Sequence, residues 1–146
     1  MKVKDIALKE VHSAAPDTTV SEAAAMMKRH GVGILPVCED GELLGMLTDR
    51  DVVIGCVAAG MDATECRVRE FMTSDPVTVG PETDVTEAVS IMGKEQVHRL
   101  PVVDNGKLVG LLSLGDLAVA LTDSGVVADT LRRISTPAQA TSGQGS

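Results

Sequence analysis

Two stretches decide the fold. Residues 33–51 read GILPVCEDGELLGMLTDRD, and residues 98–116 read HRLPVVDNGKLVGLLSLGD. Each runs Leu-Pro-Val, then Asp40-Gly41 or Asn105-Gly106, then an apolar run ending in Thr48 or Ser113, with Asp51 or Asp116 three residues on. Extended outward, residues 16–53 align with residues 81–118 at a constant offset of 65 without a gap, and 15 of the 38 positions are identical. The chain therefore uses one supersecondary unit twice. Asp-Gly and Asn-Gly flanked by apolar runs predict tight hairpins, with strands at 34–38 and 43–47 in the first copy and 100–103 and 108–112 in the second.

Each hairpin is preceded by a predicted helix. Val20, Ala23, Ala24 and Met27 recur at i, i+3, i+4 and i+7, as do Val85, Ala88, Val89 and Met92, giving one narrow apolar face. Thr19 to Glu22 has capping-box spacing, and Asp84 with Glu87 is placed similarly. A second helix follows each hairpin, near 50–59 and 115–122. Short strands are expected at 11–14 and 76–79, and similar helical turns at 3–7 and 68–72. Residues 60–67 link the copies, 126–134 suit a last helix, and 135–146, rich in Ser, Thr, Gly and Gln, read as a disordered tail. The domains are thus expected at 1–62 and 63–124, followed by 125–146.

Composition narrows the function. The chain has 146 residues, a formal charge of −8, one phenylalanine and neither Trp nor Tyr. That acidity argues against a polymeric nucleic acid as partner, and the lack of rings removes stacking platforms for single-stranded bases. No apolar run reaches the length of a membrane helix, and the N-terminus shows no signal-peptide core, so a soluble cytoplasmic protein is expected. Cys38, Cys56 and Cys66 form no C-x-x-C pair, so they read as reduced small hydrophobes. Cys66, after a loop, is expected to be the most exposed. His12 and His30 lack metal-ligand spacing, and no metal site is expected. Neither a P-loop, a complete G-x-G-x-x-G nor a catalytic triad is present.

The paired Leu-Pro-Val strands, glycine turns and G-x-x-T/S-x-x-D segments resemble a tandem cystathionine-β-synthase (CBS) domain pair over residues 3–122. The resemblance implies an α/β (α+β) fold with pseudo-twofold symmetry, each unit running strand-helix-strand-strand-helix. It leaves no room for a catalytic domain, so a stand-alone regulatory module similar to bacterial stress- and energy-linked regulators is expected rather than an enzyme. It also implies clefts for adenosine compounds: AMP, ADP or ATP, and further S-adenosylmethionine or NAD, with no required cofactor. Carried over, Asp51 with Thr48, and Asp116 with Ser113, would read ribose and phosphate, and Val11, His12, Ala14, Val77 and Thr78 would hold adenine. Carboxylates suit ribose because both oxygens accept while hydroxyls donate. His98 and Arg99 would contact phosphate, where the first copy has uncharged Gly33 and Ile34 and only Arg50 nearby; a guanidinium fork suits phosphate. A homodimer and an unidentified effector protein complete the expectation. Two other readings stand beside it: an interaction protein in stress responses whose clefts bind no nucleotide, and a thiol redox protein. A helix-start position by itself also favours Thr48 and Asp51.

Overall fold

The structure, a computed structural model, describes residues 1–121 and 124–135. The tail expected at 135–146 lies outside the described residues except for Ser135, as does the end of the expected 115–122 helix.

In the first copy, helix α1 (Val20–His30) leads into strands β1 (Ile34–Glu39) and β2 (Glu42–Thr48), which pair antiparallel from Ile34↔Thr48 to Glu39↔Glu42. In the second, α2 (Val85–Glu95) leads into the adjacent strands β4 (Arg99–Asp104) and β5 (Lys107–Ser113). Both hairpins turn through left-handed residues: Asp40 at φ 53° and Gly41 at 82°, Asn105 at 52° and Gly106 at 81°. Asp, Asn and Gly reach this region at least cost, which is why these dipeptides sit there.

Thr19 caps α1 as the sequence predicts. Its Oγ1 accepts from Glu22 N at 3.1 Å, and Glu22 Oε1 accepts from Thr19 N at 3.2 Å. The Thr19 hydroxyl, which donates to Glu22 Oε1 at 2.8 Å, and then the Thr19 amide hold the Glu22 carboxyl below its ordinary range. At α2 the box does not form: Asp84 accepts instead from Thr86 N, at 3.0 Å, and from its hydroxyl, at 2.8 Å. An ionised Asp, unlike the Thr19 hydroxyl, has no proton to give Glu87, so it turns onto the Thr86 amide and hydroxyl and satisfies the helix start without Glu87.

The helices after the hairpins differ between the copies. The second copy has an ordinary α3 (Leu114–Ala120), whereas the first winds as a π-helix over Asp51–Val57, with Ala58 N bonding Val53 O at 2.8 Å. The strands expected at 11–14 and 76–79 reduce to single parallel bridges, Ala14↔Val37 and Val79↔Val102. A further helix, α4 (Ser124–Ser135), brackets the 126–134 expectation.

The chain folds into two compact units whose membership crosses the repeat boundary. Met1–Glu10 groups with Val77–Asn105 and the chain from Val109 on, while Val11–Pro76 groups with Gly106–Leu108. The division at 62/63 follows the repeat along the chain; in space, each copy's leading segment completes the unit built by the other copy. Val3, with no exposed surface, belongs to the core of Val79, Val85, Met92, Leu100 and Leu112. Val68, equally buried, belongs to that of Val20, Leu35, Val37 and Leu47. The backbone repeats the exchange: Val3 N bonds Thr83 O and Val68 N bonds Thr18 O, both at 2.9 Å. Two matching ion pairs seal it, Lys4–Glu82 at 2.7 Å and Arg69–Asp17 at 2.6 Å. A short strand absent from the expectation, β3 (Thr73–Ser74), pairs with Met46 and Gly45 of β2, as Leu8 does with Leu111. Glycine permits both approaches. A Cβ on Gly45 would stand 2.6 Å from Thr73 O, and one on Gly110 would stand 2.9 Å from Leu8 O.

Candidate functional site

Thr48 and Asp51 close β2 and open the π-helix; Ser113 and Asp116 close β5 and open α3. In both copies the two side chains form a reciprocal cap. Asp51 Oδ2 accepts from Thr48 N at 2.8 Å, and Thr48 Oγ1 accepts from Asp51 N at 3.1 Å. Asp116 Oδ2 accepts from Ser113 N at 3.2 Å, and Ser113 Oγ accepts from Asp116 N at 3.0 Å. All four residues are half-buried. Each carboxylate spends one oxygen on the cap, and among the described residues Oδ1 of each makes no hydrogen bond. A fixed carboxylate with one free acceptor oxygen at a helix start suits a hydroxyl donor.

The second copy brings its expected phosphate residues to the same place. Leu114 N bonds His98 O at 2.8 Å, so His98 lies beside the residue that follows the Ser113 cap, and Arg99, exposed, begins β4. In the first copy the matching bond runs from Asp49 N to Gly33 O at 2.9 Å. Arg50 beside it is exposed, with its amide on Asp49 Oδ1 at 2.8 Å. Among the described residues, only the second copy therefore combines an unpaired carboxylate oxygen, an imidazole and a guanidinium at one end of a strand pair.

Val11 and Ala14 share a cavity of about 370 Å³ with Ser13, Cys38, Asp40 and Leu108. Thr48 and Asp51 do not line it. Neither does His12, whose ring stacks on His30 with centroids 3.5 Å apart. Burial, then the neighbouring His12 and Arg29, lowers the His30 pKa. In the second copy, Val77 and Thr78 are exposed.

Ser13, Ala15, Cys38, Asp40, Gly41 and Leu108 line the cavity without being among the residues expected to hold a base. Strand alternation turns Cys38 into the cavity, where its thiol is hydrogen-bonded to Ser13 and is pushed up in pKa by burial. The exposure expected for Cys66 is corrected: it is 8% exposed and belongs to the first copy's core. Its carbonyl accepts from Val20 N at 2.9 Å, which draws it under the start of α1. Burial, with Glu70 and Cys56 beside it, raises the Cys66 thiol above its ordinary range. The folded state thus holds a proton that the unfolded chain gives up at lower pH. This contribution to stability is full below the ordinary thiol pKa and is lost as pH rises above it. Urea unfolding from pH 7 to 10 is expected to show stability falling above pH 8.5, about where a free thiol titrates. The fall should be shallower for Cys66→Ala; equal slopes would remove Cys66 as the cause.

Among the described residues, no group of three or more His, Cys, Asp or Glu is placed to hold a metal ion. No helix among them is long and apolar enough to cross a membrane.

Comparison with known proteins places this arrangement. The CBS domain family matches residues 3–56 and again residues 68–123. The chain belongs to the CBS domain family. CBS domain-containing protein YhcV of Bacillus subtilis is 44% identical over 117 residues, covering 80% of this chain and 83% of that protein. Hypoxic response protein 1 of Mycobacterium tuberculosis is 36% identical over 110 residues, covering 75% and 77%. The crystal structure of Hypoxic Response Protein I with two coordinated zinc ions matches with a TM-score of 0.77 at 34% identity, over 83% of this chain and 99% of that one. The structure of CBSX2 in complex with AMP matches with a TM-score of 0.72 at 28% identity, over 82% and 94%. The mixed helix and antiparallel-sheet fold, two CBS domains in tandem, is therefore that of a CBS-pair regulatory module.

Proposed function

We propose that this CBS pair senses an adenine nucleotide through its second copy and passes the bound state to an effector protein. One observation carries the reading: Asp116 is held by its cap, keeps one oxygen without a partner among the described residues, and sits on the unit end that also presents His98 and Arg99. The carboxylate accepts from the ribose hydroxyls, Ser113 offers a hydroxyl, and Arg99 with His98 faces the phosphate. AMP bound to CBSX2 supports this ligand class. AMP, ADP and ATP are the leading ligands; S-adenosylmethionine and NAD share the adenosine but place different charge near Arg99. Thr48 and Asp51, with Arg50, form a weaker site that favours a nucleoside. Val11 and Ala14, and Val77 with the methyl of Thr78, supply aliphatic contact to the base in the two copies, while His12 stays stacked on His30. The module acts as a homodimer, regulating rather than catalysing, with ligand binding biasing a conformational equilibrium. A ligand at about 100 times its Kd stabilises the bound form by about 2.7 kcal/mol.

Thermal shifts with AMP, ADP, ATP, NAD and S-adenosylmethionine test this. At least one should raise the melting temperature of the full chain at millimolar concentration. Arg99→Ala should weaken AMP by about tenfold or more, because a charged hydrogen bond is lost, and leave adenosine nearly unchanged. Equal losses for the two would remove Arg99 from the phosphate. If no adenosine compound stabilises the chain, both carboxylates are caps only, and the non-nucleotide interaction reading takes over.

A further inference from the structure

The unit formed by Met1–Glu10, Val77–Asn105 and the chain from Val109 on holds a cavity of its own, of about 170 Å³. Ala7, Pro81, Val102 and Val109 give it apolar walls, and Lys4, Lys9 and Asp104 stand exposed around it. Ser113, Asp116, His98 and Arg99 do not line it, so it is separate from the site proposed for the nucleotide.

Side-chain size opens the cavity. Ala7 lies against Gly110, where an added Cβ would stand 3.5 Å from Ala7 Cβ. Met72, the residue 65 positions on, lies in the same way against Gly45, where an added Cβ would stand 2.8 Å from Met72 Sδ. Val109 likewise has the larger Leu44 as its counterpart, and Lys9 has the uncharged Ser74. The other unit thus sets bulkier side chains at two of these positions and no cation at a third. Empty apolar volume forfeits packing, and a ligand that fills it recovers the loss.

The charges around the cavity fit a ligand with two of its own. Lys4 is already paired with Glu82, at 2.7 Å. Lys9 Nζ donates to Lys4 O at 2.8 Å and keeps further N–H groups for a ligand. Among the described residues neither Lys9 nor Asp104 enters an ion pair, with each other or with any third group. A carboxylate alone would satisfy Lys9 and set like charge against Asp104, and an ammonium alone would do the reverse. A ligand carrying both groups on one aliphatic body meets both. An apolar cavity of about 150 Å³ takes up benzene, so this one has room for a branched aliphatic side chain.

We propose that this cavity binds a small aliphatic α-amino acid. Its side chain lies against Ala7, Pro81, Val102 and Val109, its carboxylate accepts from Lys9 Nζ, and its ammonium donates to Asp104. Small-molecule sites are built this way, apolar with a few convergent polar groups that fix orientation.

Calorimetric titration of the full chain without nucleotide tests it, so its failure and the failure of nucleotide sensing are separate results. The probes are L-leucine, isocaproate, which lacks the ammonium, and isoamylamine, which lacks the carboxylate. L-leucine is expected to bind about tenfold more tightly than either, the scale of one lost hydrogen bond to a charged group. Lys9→Ser, which installs the counterpart's residue, should weaken L-leucine and isocaproate about tenfold without weakening isoamylamine. Asp104→Asn should weaken L-leucine and isoamylamine without weakening isocaproate. Ala7→Met, again the counterpart's residue, should fill the cavity and abolish binding of all three. The proposal is overturned if L-leucine does not bind at millimolar concentration, if either truncated probe binds as tightly, or if Ala7→Met binds L-leucine undiminished. Lys9 and Asp104 are exposed, so their variants carry the test even where Ala7→Met fails to fold.

Discussion

Asp116→Ala is expected to weaken AMP binding by about 10- to 100-fold, the range for losing a hydrogen bond to a charged group, and to lower stability by about 1 kcal/mol, as for a lost helix cap. The two losses come from different oxygens of one carboxylate. Oδ2 accepts from Ser113 N, and its removal leaves that amide and the start of α3 less well satisfied. Oδ1 has no described partner and is the oxygen proposed for the ribose. Asp116→Asn separates them. The amide keeps an acceptor for Ser113 N and should recover most of the stability. Its NH2 meets the donating ribose hydroxyls with donors, so affinity should stay low. Calorimetric AMP titration beside thermal unfolding of the three proteins reads both effects. If Asp116→Asn restores affinity together with stability, the carboxylate acts only as a cap. Asp51→Ala should match the stability loss and leave AMP binding at the second copy unchanged.

Val68→Asp is expected to destabilise the chain by several kcal/mol, the effective cost of an unpaired charge in a protein interior, and the damage should appear in the other copy. Val68 belongs in sequence to the second copy, yet no surface of it is exposed and it packs with Val20, Leu35, Val37 and Leu47. Hydrogen exchange should therefore show protection lost first at α1, β1 and β2, with β4 and β5 holding longer. Loss beginning at β4 and β5 would contradict the exchange of leading segments. Val68→Ala, a gentler change, should give the same spatial pattern with a smaller amplitude.

Much of the fold is legible because its signals are local. Each hairpin turn announces itself through a dipeptide that tolerates positive φ, and the Thr19–Glu22 cap through spacing alone. Proximity of Ser113, Asp116, His98 and Arg99 is legible in a weaker sense. Strand-end residues across a two-residue hairpin must come together, and the repeat marks which ends matter. Other features were hidden because they depend on partners distant in sequence. Two-residue β3 carries no pattern of its own and exists because Gly45 lets Thr73 approach β2. Cys66 follows a loop in sequence, and nothing nearby says that Val20 N will draw it beneath α1. Cys38 enters the pocket through strand alternation, which sequence shows, but the pocket itself needs Ser13 and Leu108 from elsewhere in the chain.

The amino-acid sequence alone determined that this is one unit used twice, with helix, hairpin and capped helix in the same order, because spacing, turn chemistry and capping act within a few residues. It also set the asymmetry between the copies, since His98-Arg99 and Gly33-Ile34 occupy equivalent positions. Tertiary structure decided the remainder. Leading segments exchange between copies because Val3 and Val68 are buried most completely against the other copy's helix and strands. It also decided that α4 packs on α2 and α3 of the second copy, where a Cβ on Gly93 would stand 3.1 Å from Arg133 Nη1. Gly93 and Lys28 are equivalent in sequence, but whether a position admits a helix depends on the volume and charge that the folded chain sets against it.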